Sequence, residues 1–142
     1  MSIATQFASN PLNFPLMKLR IKGASVRLRL TQTEVKTFEE TGVWSDETPL
    51  PGGRLKYTLL RSESDSDMSA SWVSDPIGAC LTVVIPEPMA TEWKAPNAIS
   101  MRGSVDVPDG PVTTLLVEKD FACLDNTEED QSDNFPNPNA IC

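Results

Sequence analysis

"MKLRIKGASVRLRL" occupies residues 17–30, and its alternation is that of two strands joined by a turn. Met17, Leu19 and Ile21 fall on one side, and Lys18, Arg20 and Lys22 on the other. After the turn residues Gly23, Ala24 and Ser25, the apolar Val26, Leu28 and Leu30 oppose Arg27 and Arg29. Successive side chains of a strand point to opposite faces, so this is an amphipathic hairpin with one apolar and one basic face.

Outward from the hairpin, Thr31 with Glu34 three positions on matches a capping box. It predicts a short helix through Val35 and Phe38, closed at Gly42. "VWSDETPL" (43–50) and "RLKYTLLR" (54–61) read as strands around the break "PGG". "SESDSD" (62–67) is a polar loop that divides the chain. Beyond it the order recurs. "SASWV" (69–73) and "ACLTVVI" (79–85) form a hairpin, "PEPMATEWK" (86–94) a helix, and "AISMRGSVDV" (98–107) and "TTLLVEKDF" (113–121) the closing strands. Leu28 and Leu30 match Val83 and Ile85, Val35 and Phe38 match Ala90 and Trp93, and Val43 and Trp44 match Ala98 and Ile99, each 55 positions apart.

The predicted fold is therefore α+β: one β-rich domain of two pseudo-repeated ββαββ units, 17–61 and 69–121. The units close as a small barrel or as packed sheets, with the two short helices plugging the open ends. Residues 1–16, uncharged and interrupted by Pro11 and Pro15, are read as a flexible lead, so that the domain (17–124) opens at Met17. Residues 125–142 form an acidic segment expected to pack on the domain.

A chain of 142 residues is long enough to bury one core unaided. Its twelve prolines and seven glycines favour many turns and short elements. The net charge of −8 argues against nucleic acid and anionic membrane as partners, since both reward basic surfaces. No apolar run approaches a membrane span, and the opening residues lack the basic and apolar regions of a secretory signal. Three cysteines without such a signal point to a reducing, cytoplasmic setting. The chain has no histidine, which removes Ser-His-Asp hydrolysis, Cys-His nucleophiles and imidazole zinc sites.

"MKLRIKG", "RLRLTQTEV", "EKDFACLD" and "EDQSDNFPNP" followed by the final cysteine, in this order, resemble a family of short bacterial proteins of unknown function. The resemblance runs from Met17 to Cys142 and implies a small cytoplasmic bacterial protein, with no activity to carry over. Within it, "TVVIPEPMATEW" (82–93) is similar to the strand-then-helix segment of swapped-hairpin transcription factors and related cradle-loop barrels.

The basic hairpin face makes Arg20, Lys22, Arg27 and Arg29 candidate anion-binding residues, because guanidinium groups take phosphate or carboxylate bidentately. Alternatively it is a solvated face, or one neutralised by the chain's own acids. The closing segment brings Glu118, Asp120, Asp125, Glu128, Glu129, Asp130 and Asp133. Their spacing lacks the glycine of an EF-hand loop. Cys123 and Cys142 are candidates for a disulfide or metal pair, and Cys80 for a small buried hydrophobe. Phe135 is placed to anchor the segment, whose carboxylates are expected to lie across the basic hairpin. Lys119, between Glu118 and Asp120, suits proton transfer if buried and is otherwise an exposed strand-end charge.

No catalytic residue, resident metal or cofactor is assigned. The leading reading is a small non-catalytic binding protein, its partner a protein or an anionic small molecule, with a basic face complemented by an acidic tail. The second is a small enzyme or ligand-binding protein acting on an anionic phosphate or carboxylate compound through Arg20, Arg27 and Arg29.

Overall fold

In the computed structural model, which describes residues 17–121 and 132–136, the first hairpin is β1 (Lys18–Ile21) with β2 (Ser25–Leu30). Helix α1 (Gln32–Thr41) follows, then β3 (Val43–Leu50) and β4 (Gly53–Ser62). The second half runs β5 (Ser69–Asp75), β6 (Gly78–Pro86), α2 (Glu87–Trp93), β7 (Ser100–Val105) and β8 (Thr113–Lys119).

The strands form two four-stranded sheets, one ordered β1-β2-β8-β7 and the other β3-β4-β6-β5. Neither sheet closes on itself. Of the two expected forms, barrel or packed sheets, the second is therefore observed. Each sheet joins two antiparallel hairpins through a central parallel pair, β2 with β8 and β4 with β6. Exchanging each strand of the first half with the strand of the same rank in the second converts one order into the other read backwards. The register obeys the same exchange: Leu28 faces Val117 as Val83 faces Leu59, and Leu30 faces Lys119 as Ile85 faces Arg61. Under it Trp44 corresponds to Met101, not to Ile99, because two more residues lie between Trp93 and Met101 than between Phe38 and Trp44.

One core holds the sheets together. Leu28, Leu30, Met101 and Val117 come from the first sheet, and Tyr57, Leu59, Val83 and Ile85 from the second. Phe38 of α1 and Trp93 of α2 meet edge to face, their ring centroids 6.2 Å apart at 70°. That offset places the positive ring edge on the negative face of its neighbour. Both residues are fully buried, so each short helix is held chiefly by packing.

Local chemistry sets where the helices begin and end. Thr31 N–H donates to Glu34 Oε1 at 2.8 Å, the strong arm of the capping box. The reverse arm to Thr31 Oγ1 is loose, and Thr31 Oγ1 and Glu34 Oε2 are buried without a full hydrogen bond. Gly42 takes φ of 84°, a left-handed conformation that glycine adopts without strain, and donates its N–H to Phe38 O. Pro88 sits in the first turn of α2, where no helical N–H is required. Glycine has a second use at Gly103, where an added Cβ would lie 2.6 Å from the Cβ of buried Met68.

Two expectations are corrected. Cys80 is half-buried on the outer face of the second sheet, out of phase with the inward Leu81 and Val83, and its thiol lies 3.6 Å from Thr82 Oγ1. Of the closing segment's described acids, Glu118 and Asp120 pair with the hairpin cations, but Asp133 does not cross the hairpin. Its carboxylate accepts from Thr33 N–H at 3.2 Å and Thr33 Oγ1 at 3.0 Å, while its carbonyl accepts from Gln32 N–H at 2.9 Å. It thus satisfies amides that open α1. Phe135 does anchor this stretch: it bridges to Phe121, donates its N–H to Asp120 O and packs against the core. Asp125, Glu128, Glu129, Asp130, Cys123, Cys142 and residues 1–16 lie outside the described residues.

Candidate functional site

Cross-strand register carries the hairpin's basic face over the whole first sheet. Arg20 is opposite Arg27, Arg27 is opposite Leu116, and Leu116 is opposite Arg102. The next row runs Lys18, Arg29, Glu118 and Ser100. Strands lie ~4.8 Å apart, so the arginine row spans about 14 Å. Lys22 continues the phase of Lys18 and Arg20 beyond the end of β1.

Glu118 sits between the cations. Its Oε1 accepts from Arg29 Nε at 2.6 Å and lies 3.5 Å from Arg27 Nε. Asp120 pairs with Lys18 Nζ at 3.0 Å. Both carboxylates are largely buried while Lys18, Arg27 and Arg29 stay about a third exposed, so the acids anchor the cationic stems and leave the heads accessible. Arg20, Lys22 and Arg102 are exposed and have no ion pair among the described residues.

The second sheet is an internal comparison. Where the first has Arg20, Arg27, Leu116 and Arg102, it has Ser71, Thr82, Thr58 and Ser45. Where the first has Lys18, Arg29, Glu118 and Ser100, the second has Ser69, Val84, Leu60 and Val43. Ser45 and Thr58 hydroxyls meet at 2.7 Å, so these places are satisfied without charge, while further along the same face Arg54 pairs with Glu47 at 2.8 Å. The same strand arrangement forms with neutral residues at these places, so the cations are not demanded by the fold.

A second polar cluster lies inside. Asp46 Oδ2 accepts from the Met17 N–H at 2.9 Å and from Trp44 Nε1–H at 2.7 Å. Burial pushes Asp46 up to about 6, against the pull of those two donors. Burial pushes Glu34 up to about 8; the Thr31 N–H opposes this, and the Asp46 charge adds to it. Tyr57 is raised by burial and by the Asp46 charge. Near neutral pH the cluster holds one carboxylate and one carboxylic acid. It has no counterpart in the other half, where Met89, Gly103 and Leu115 take the places of Glu34, Asp46 and Tyr57.

Lys119 is the third site, and the structure corrects its expected exposure: it is 6% exposed. Its Nζ donates to Ala95 O at 3.1 Å and lies 5.9 Å from the Trp93 ring centroid and 5.5 Å from that of Phe135. Burial lowers its pKa, and the Glu39 charge acts the other way.

Sequence reasoning placed Arg20, Lys22, Arg27 and Arg29 on one face and named Lys119 at its strand end, but missed Arg102, Glu34 and Asp46 as members of clusters. Part of the signal was present. Asp46 shares the inward phase of Trp44, and Lys119 that of Leu115 and Val117, so strict alternation marks both for burial. Arg102 follows inward Met101 and must point outward.

Among the described residues no group of three or more Cys, Asp or Glu is arranged to hold a metal ion. No helix of the described residues is long and apolar enough to cross a membrane. No curated protein matches the chain, and no solved structure does. The four motifs quoted above fall almost wholly within one match to a family profile. Over residues 17–139 the chain belongs to the family of unknown function DUF7009.

Proposed function

We propose that this is a non-catalytic binding protein that presents the outer face of its first sheet to an acidic segment of a partner protein. The observation that carries this reading is the row of Arg20, Arg27 and Arg102 across four strands, against hydroxyl residues at the matching places of the second sheet. On this reading the two ββαββ units are copies of one ancestral unit, and the sheet faces have diverged in charge. A flat row about 14 Å wide suits an extended ligand better than a small one, whose charge a cleft would surround. The net charge of −8 opposes a nucleic acid, whose phosphates would meet the acidic remainder of the molecule.

Fluorescence anisotropy with a labelled oligoglutamate peptide tests this. Binding is expected at low ionic strength, weakening as salt rises, and lost in Arg20→Ser/Arg27→Ser/Arg102→Ser, which installs the hydroxyl types of the second sheet. Equal binding by that variant, or a preference for a single-stranded oligonucleotide of the same charge, would overturn the reading.

A further inference from the structure

Beyond the basic face, we propose that the cleft between the two helices is a binding site for a small organic carboxylate, with Lys119 as the group that holds its charge. The cleft has a volume of about 530 Å³ and is lined by α1, by Lys94 and Pro96 after α2, by Lys119 at the end of β8, and by Phe135. None of these residues belongs to the outer face of the first sheet, from which Lys119 points inward.

Lys119 is a buried ammonium with three donors, one of which goes to Ala95 O. Among the described residues it has no ion pair, so two N–H groups remain in a wall of the cleft. Burying a charge without a partner is costly, and two ring faces only partly compensate. A carboxylate in the cleft would take both free donors. Val35, Pro96 and Phe135 supply apolar wall for a flat hydrocarbon body.

The exchange that relates the sheets also relates this cleft to a second, smaller one, and the contrast between them favours an anion in the larger. The smaller, about 180 Å³, is lined by Arg61, Glu87, Thr91, Lys94 and Glu39. There Arg61 Nη1 donates to Glu39 O at 2.9 Å, as Lys119 donates to Ala95 O. Its two cations face two carboxylates. In the larger cleft Gln32 and Lys36 hold the places of Glu87 and Thr91, giving Lys36, Lys94 and Lys119 against Glu39 and Asp133. Asp133 is already engaged by Thr33. An unmet positive charge is left in the roomier cleft.

The test is isothermal titration calorimetry of the full chain with benzoate, its neutral analogue benzamide and inorganic phosphate, at neutral pH and low salt. Saturable binding of benzoate, with none of benzamide, is expected. Lys119→Met, which keeps the apolar stem, should weaken benzoate at least tenfold; Lys36→Met/Lys94→Met, altering exposed rim residues, should weaken it several-fold and covers the case in which the buried variant does not fold. Arg20→Ser/Arg27→Ser/Arg102→Ser should leave benzoate affinity unchanged, which separates this site from the basic face. Absence of benzoate binding, equal binding of benzamide, preference for phosphate, or indifference to both lysine variants would overturn the assignment.

Discussion

Replacing Glu34 by glutamine should free the protein from a stability loss that grows with pH. Glu34 is 2% exposed, Oε1 accepts from Thr31 N–H, and Oε2 is buried without a partner. The groups acting on it are Thr31 on its own element, Asp46 on β3 and Asp133 of the closing segment; Tyr57 on β4 is itself raised by the Glu34 charge. Burial raises Glu34 from 4.5 to about 8. A carboxyl whose pKa is raised by folding holds its proton in the native state while the unfolded chain releases it. Between pH 4.5 and 8 the unfolded state therefore binds fewer protons, and stability falls as pH rises. At ~1.4 kcal/mol per pH unit the loss approaches 3 kcal/mol at pH 7 and ~5 kcal/mol above pH 8.

Glu34→Gln keeps the acceptor for Thr31 and cannot ionise. Its stability relative to the wild type should be close to zero at pH 4.5 and rise through the window to several kcal/mol at pH 9. For a domain of this size that is a Tm gain of ~10 °C or more. Urea titrations of both proteins at pH 4.5, 6, 7.5 and 9, followed by tryptophan emission, give the difference curve directly. A curve that is flat across this range would refute the reasoning. Asp46 contributes a separate decline between pH 3.8 and about 6, which both proteins share and which cancels in the difference.

Asp46→Ala removes the acceptor of Met17 N–H and Trp44 Nε1–H, and two stranded donors should cost roughly 2–4 kcal/mol in urea unfolding at pH 7. Gly103→Ala drives a methyl into Met68 and should cost ~1–3 kcal/mol; an unchanged urea midpoint would mean that the contact is slack. Glu118→Gln removes the carboxylate shared by Arg27 and Arg29, so unfolding should change by no more than ~1 kcal/mol while oligoglutamate binding tightens several-fold.

Alternation, apolar runs and turn breaks were enough to find the eight strands of the described residues, and the capping box with Gly42 bounded α1, because these signals are local. Pairing was less legible. The central pairs, β2 with β8 and β4 with β6, are parallel and have no connecting turn to announce their register. That is also why the sequence left barrel and sheets open. The hairpin cations were visible as one face, but Arg102 joins them only through β8, whose Leu116 lies 89 positions from its partner Arg27 on β2. Glu34 shows a limit of another kind. The box predicts its bond to Thr31 and is indifferent to burial, which comes from its position near β3 and residues 132–136.

The second half of the molecule is a control for the first, because the same strand order holds different side chains at matching places. Met17 and Met68 precede corresponding edge strands and are both buried, yet one gives its N–H to Asp46 while the other lays its side chain over Gly103. A frame that closes with methionine over glycine has no architectural need of a buried acid. The same holds for Glu34 against Met89 and for the arginine row against its hydroxyl counterparts. Each polar choice costs desolvation that the neutral choice avoids, and sequences retain such departures chiefly where function requires them. The departures cluster on the outer face of the first sheet and around Asp46, whereas Lys119 is matched by a second cation, Arg61. Neutral residues at the matching places of the other half support the same strand arrangement. The charged places are therefore where binding energy, not folding energy, should be sought.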